Sequence, residues 1–155
     1  MSDRLVLVGD VAGDCQRRHR QGDYRVAARM DASAAGCSGL SALRIVMLEA
    51  LPIDDRRELE AQVEISFWGR ALGNAALGDR QHSEFDRLRA RLPRHLAQAA
   101  EFGQIRAGVD IDFASYQLLV LIDGVSAERV LYQDRVPAER QIAPLDRLLD
   151  GLRVP

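Results

Sequence analysis

Residues 112–133, DFASYQLLVLIDGVSAERVLYQ, form the longest run in the chain that is apolar on nearly every side. Wound as a helix, the run spreads Tyr116, Leu118, Leu119, Val120, Leu121, Ile122, Val125, Val130 and Leu131 around its circumference and leaves few angles for solvent. Such a helix must be covered on all flanks, so it is predicted to be central. Gly124, inside the helix after Ile122 and Asp123, costs about 1 kcal/mol relative to Ala and asks for a reason such as the close approach of another helix. The run is therefore expected to be shared between one subunit's core and an interface with another subunit.

On its C-terminal side, Val136-Pro137-Ala138-Glu139 puts Pro at a first helical turn with an acid just inside. The helix this opens has one clean stripe, Ala138, Ile142, Leu145, Leu149 and Leu152, with Arg140, Asp146, Arg147 and Asp150 outward and a kink expected at Pro144. On its N-terminal side, Asp110 or Asp112 is placed to cap the central helix, after a turn marked by Gly103 and Gly108. Residues 79–102 read as a long helix with Phe85, Leu88 and Leu92 on one stripe, and Pro93 predicts a kink near Arg89 or a break into two helices.

Further upstream, Asp54 or Asp55 starts a helix with two apolar stripes. Leu59, Val63 and Phe67 lie on one face, and Ile65, Trp68 and Leu72 lie almost opposite, which describes an inner wall. Glu64 falls between the stripes beside Phe67 and Trp68; it either faces a cavity or snorkels to water. Residues 40–51 make a short, deeply apolar helix that Ser41 can cap and Pro52 ends, and its one cation, Arg44, is either exposed along an edge or paired with an acid. Residues 24–35 are Ala-rich and helix-prone, stopped by Gly36 and Gly39. The expected fold is all-α, an antiparallel bundle of about six helices.

Composition agrees with one helical domain. The 155 residues are 47% hydrophobic but only 5% aromatic, with Ala and Leu dominant, which favours helix packed on helix. A net charge of -2 provides no global cationic field for nucleic acid or an anionic membrane. All 21 basic residues are Arg, and six of them against four Asp fall before residue 31, so the N-terminal part is locally basic. Residues 1–23 read as an irregular or disordered segment, either solvated or a weak polyanion contact, and residues 24–155 as the helical domain. Leu5 to Val8 is the one doubtful strand, and Gly9 to Gly13 lacks the Lys and Ser or Thr that a phosphate-binding loop needs. The opening apolar run is too short for a signal peptide or a membrane span, and Cys15 and Cys37 read as free thiols, so a cytoplasmic protein without membrane contact is expected. His19, His82 and His95 are dispersed, and no Ser or Cys sits in a nucleophile motif; no metal, cofactor or catalysis is expected.

The order of these elements from about Arg25 to Leu152 resembles the C-terminal, ligand-sensing and dimerisation region of TetR-family transcriptional regulators, in particular the group that includes the betaine-pathway repressor BetI. The resemblance rests on Leu43 to Pro52 before the helix opening Asp54-Asp55-Arg56-Arg57, on Phe67-Trp68, on Asp110-Ile111-Asp112, on Ile122-Asp123-Gly124 and on Pro137 to Arg140. It implies a homodimer through the last two helices, with Gln117, Val120, Gly124, Ala127 and Leu131 joined by Ile142, Leu145 and Leu149, while Leu118, Ile122 and Val125 face the subunit's own core. It also implies a pocket for a small apolar or amphipathic effector, expected near Met47, Glu64, Phe67, Trp68, Phe85, Leu88 and Tyr116. Residues 1–23 are too short for the family's helix-turn-helix head, so no operator contact is expected from this chain, read as a truncated regulator, a product of a misassigned start or a stand-alone sensor. A helical partner that heterodimerises with a full-length regulator is the alternative.

Overall fold

The computed structural model describes residues 25–72, 74, 89–132 and 136–155. Among them six helical stretches occur: α1 over residues 25–33, α2 Gly39–Ala50, α3 Asp55–Ala71, α4 over residues 89–101, α5 Ile111–Tyr132 and α6 Ala138–Leu152. No strand forms among the described residues; an isolated antiparallel bridge joins Ile105 to Arg153. The architecture is the all-α one that periodicity predicts. The expectations for residues 1–23, for a strand at Leu5 to Val8 and for helix over 79–88 lie outside the described residues.

The core is one contiguous cluster. Leu40, Leu43, Met47 and Leu51 from the α2 region meet Leu92, Leu96 and Ala99 of α4, Leu118, Leu119 and Ile122 of α5, and Leu145, Leu149 and Leu152 of α6. Helix α2 packs on both α5 and α6, α5 packs on α6, and α3 lies against α5. Each fully buried Leu contributes roughly 1.5–3 kcal/mol, so the inner flank of α5 is among the largest apolar terms in the fold. Helix α6 continues across Pro144 as one element, and α4 runs through Pro93.

Charge pairs set how the helices are positioned. Arg44 of α2 is paired: it reaches Asp146 of α6 with two bonds, 2.7 and 3.1 Å, which hold the Asp146 carboxyl below its ordinary range. Arg129 of α5 reaches Glu58 of α3 at 2.6 Å. Buried Gln141 of α6 donates through Nε2 to the carbonyls of Pro52 and Val136, which pins the α2–α3 turn to the start of α6.

Helix starts follow two schemes. Asp54 caps α3 by accepting from the Arg57 amide at 2.9 Å, and Asp110 caps α5 by accepting from the Phe113 amide at 2.9 Å. At α2 the expected Ser41 cap is not used, because the helix begins earlier, at Gly39. Ser38 occupies the cap position without a side-chain bond, and the free amides go to distant partners: Gly39 N–H donates to Gln98 Oε1 and Leu40 N–H to Gln104 Oε1, each at 2.9 Å.

Close approach makes this possible. Gly39 has φ of 57°, and a Cβ there would overlap Gln104 Oε1 and lie 3.3 Å from the Ala99 Cα. Gly39→Ala is therefore expected to destabilise the protein by about 1–3 kcal/mol, combining left-handed strain with displacement of the Gln104 cap. Urea unfolding followed by circular dichroism measures this, and an unchanged midpoint would refute it.

Candidate functional site

Two surfaces of the bundle carry the residues singled out by sequence. The first is the wall between α3 and α5. Helix α3 buries Ala61 and Phe67, holds Val63, Ile65 and Trp68 half-buried, and leaves Leu59, Glu64 and Leu72 exposed. Glu64 is exposed and engaged with a partner. Met47 is fully buried in the central cluster, Phe67 is buried outside that cluster, and Tyr116 stands on the open flank of α5. The expected lining is thus divided between core, wall and surface. Phe85 and Leu88 lie outside the described residues.

Asp123 stands on α5, the helix that α3 lies against. The half-buried carboxylate on α5 makes no hydrogen bond or ion pair among the described residues, and burial pushes its carboxyl above the ordinary carboxylate range. Sequence marked Asp123 only as the neighbour of Gly124. No spacing rule would have shown that it lies in a desolvated position.

The second surface is the outer flank of α5. Leu118, Ile122 and Val125 point inward, as the family resemblance implies. On the other side Gln117 and Gly124 are exposed, Ala127 is half-buried, and Val120 and Leu131 are 50% and 67% exposed. Phe113, at 57%, continues the same line and was missed in sequence because it stands in the first turn beside the cap. Together Phe113, Gln117, Val120, Gly124, Ala127 and Leu131 follow a 4-3-4-3-4 spacing. That is a period of 3.5, the pattern of a helix that meets another helix at a shallow left-handed angle.

Helix α6 contributes differently from expectation. Leu145 and Leu149 are 0% and 1% exposed, inside the subunit, and Ile142 is half-buried. The helix has a single apolar stripe, and its own core uses that stripe. What α6 presents outward is Arg140, Ala143, Arg147 and Gly151.

Comparison with known proteins matches this architecture to one family. Residues 40–154 match the C-terminal region of BetI-type transcriptional repressors. The chain belongs to that family. Two solved structures share the fold of this BetI-type domain. A transcriptional regulator from Rhodococcus sp. Rha1 superposes with a TM-score of 0.73 at 22% identity, over 86% of this chain and 67% of that one. A TetR-family transcriptional regulator from Rhodococcus sp. does so with a TM-score of 0.71 at 17% identity, over 88% and 71%. Among curated proteins none matches.

The family is one of transcriptional regulators, not enzymes. Among the described residues of the BetI-type domain no cluster of three metal-binding side chains occurs, and no described helix is long and apolar enough to cross a membrane.

The desolvated Asp123 yields a signed expectation. A carboxyl whose folded pKa is raised costs nothing while protonated, and stability is lost as pH rises through that folded value. Asp123→Asn should therefore raise the melting temperature at pH 7 and leave it unchanged below about pH 3, where the carboxyl is protonated in both folded and unfolded chains. A melting curve that falls at pH 7 would show that Asp123 makes a favourable charged contact instead.

Proposed function

We propose that this chain is the effector-sensing and dimerising part of a TetR-type transcriptional regulator that works in the cytoplasm, with residues 24–155 as one helical unit. The observation that carries the dimer is the exposed 4-3-4-3-4 line on α5. The line leaves Phe113, Val120 and Leu131 in water on one helix face, and a second copy laid antiparallel across it covers them with the same residues. Gly124 sits at its middle. A Cβ built there meets nothing within 4 Å inside the subunit, so the glycine relieves no intramolecular crowding and its small size is available to a partner helix. Arg140 and Arg147 of α6 flank the seam as a polar rim.

Gly124→Phe tests this, with circular dichroism confirming that the variant keeps its helix content, since a Cβ at this position meets nothing within the subunit. Light scattering after size exclusion is expected to give twice the 17.2 kDa chain mass for the natural sequence and one chain mass for Gly124→Phe. Gly124→Ala adds about 1 kcal/mol of helix propensity as a control. A dimer that survives Gly124→Phe would remove α5 from the interface.

We assign effector sensing to the wall of α3 facing α5. Half-buried Trp68 on α3 offers apolar surface beside the buried Phe67, and α5, on which α3 packs, carries the half-buried carboxylate of Asp123, a combination that suits a small apolar or amphipathic molecule. Differential affinity for two arrangements of α3 is then the means by which such a molecule shifts the population between states. Trp68 is the chain's single Trp and reports directly. Amphipathic compounds that bind should shift its emission and raise the melting temperature together, and Trp68→Phe should lose the emission signal. A panel that moves neither quantity would sink this assignment.

A further inference from the structure

Helix α1, like α3, stands outside the central apolar cluster. Within residues 25–33 only Met30 is buried, at 4% exposure; Val26, Ala27 and Arg29 are half-buried and the others exposed. What holds the helix is charge. Arg29 donates through Nε to Glu49 Oε2 at 2.6 Å, and through Nη1 and Nη2 to the two oxygens of Glu60 at 3.0 and 2.7 Å. It also donates to the Glu49 carbonyl at the end of α2, at 3.2 Å. Ser33 adds a bond to Glu49, and the exposed Asp31 accepts from Arg91 of α4.

Arg29 and its two acids are largely shielded, with side-chain exposures of 14%, 12% and 22%. Breaking such a pair is costly when it strands a charge. Here neither acid is stranded. Glu49 Oε2 has a second cation in Arg57 at 3.3 Å, and Glu60 Oε1 has one in Arg56 at 3.4 Å. Both fallback cations lie in the first turns of α3, on the body itself. Arg57 is further fixed by its bond to the Leu48 carbonyl at 2.8 Å and its ion pair with Asp54. The acceptors remain compensated whether or not α1 is present.

We propose that α1 is a latch that docks on and leaves the α2–α6 body as a unit, with Arg29 as the catch and Arg57 and Arg56 as the cations that keep the vacated acids paired. Met30 is the one buried apolar anchor of α1, so removing the ionic catch leaves a single side chain to hold the latch shut. Opening releases residues 25–33 while α2 to α6 stay folded.

Hydrogen exchange read by mass spectrometry on the whole 155-residue chain tests this. In the natural sequence, residues 25–34 should exchange faster than α5 and α6. Arg29→Met keeps the side-chain stem and removes the catch. It should raise exchange in residues 25–34 about tenfold or more, the scale of a lost charged hydrogen-bond set, and change α5 and α6 by less than about twofold.

A matching loss of protection in α1, α5 and α6, failure of Arg29→Met to fold, or an unchanged α1 would each overturn the latch. The fallback is tested separately with Arg57→Met and the double variant. Exchange at the α2–α3 junction should rise in the double variant by more than the product of the two single effects, because only there does Glu49 lose both cations. A purely multiplicative result removes Arg57 from the role.

Discussion

Burial of the inner flank of α5 is the constraint on which the rest of the structure depends. Leu118, Leu119 and Ile122 are covered only if α2, α4 and α6 bring Leu43, Met47, Leu96, Leu145 and Leu149 to the same cluster. Apolar burial is non-directional, so it settles that these helices converge but not how each is rotated or shifted. The ion pairs supply that second kind of information. Arg44 with Asp146 aligns α2 on α6, Arg129 with Glu58 aligns α5 on α3, and Gln141 fixes the turn before α3 to the start of α6. None of these pairs needs to stabilise much to select one alignment among several of similar apolar content.

An amphipathic helix can spend its apolar stripe once. Helix α6 has one stripe and uses it inside the subunit, so its outer side is charged or small. Helix α5 has apolar residues all round and keeps a second face in reserve after its core is filled. This difference explains why the two helices, adjacent in sequence and packed together, have unequal standing in the proposed assembly. The longer, more uniformly apolar helix carries the seam and the amphipathic one supplies its rim.

Much of this was legible in the residues themselves. The 3.6 period identified the helices and the apolar all-round character of Asp112 to Gln133 identified the central one, while the turning of Leu118, Ile122 and Val125 toward the core came from the family resemblance. Asp54 was visible as a cap because its partner is three residues away. Features that depend on distant partners were not. The α2 start is capped from Gln98 and Gln104, 59 and 64 residues on, and Arg44 finds its acid 102 residues away. Leu145 and Leu149 were placed toward a partner by the family resemblance, since periodicity defines their stripe without saying whose core it fills. In the candidate sensing wall, Phe67 was correctly read as an inner residue, whereas the desolvation of Asp123 has no signature in a linear pattern.

The borrowed cap of α2 also bears on how the chain is made. A helix whose first amides are satisfied by its own Ser or Asp can close as soon as it emerges, but Ser38 at the start of α2 makes no side-chain cap bond, and the first two donors go to Gln98 and Gln104. At roughly 5–20 residues per second, synthesis of the intervening chain takes several seconds, during which Leu40, Leu43 and Met47 have no finished helix to hold them and no core to enter. The most apolar of the early elements is thus among the last to be completed. During that interval a nascent chain of this sequence presents its stickiest segment to whatever meets it at the ribosome.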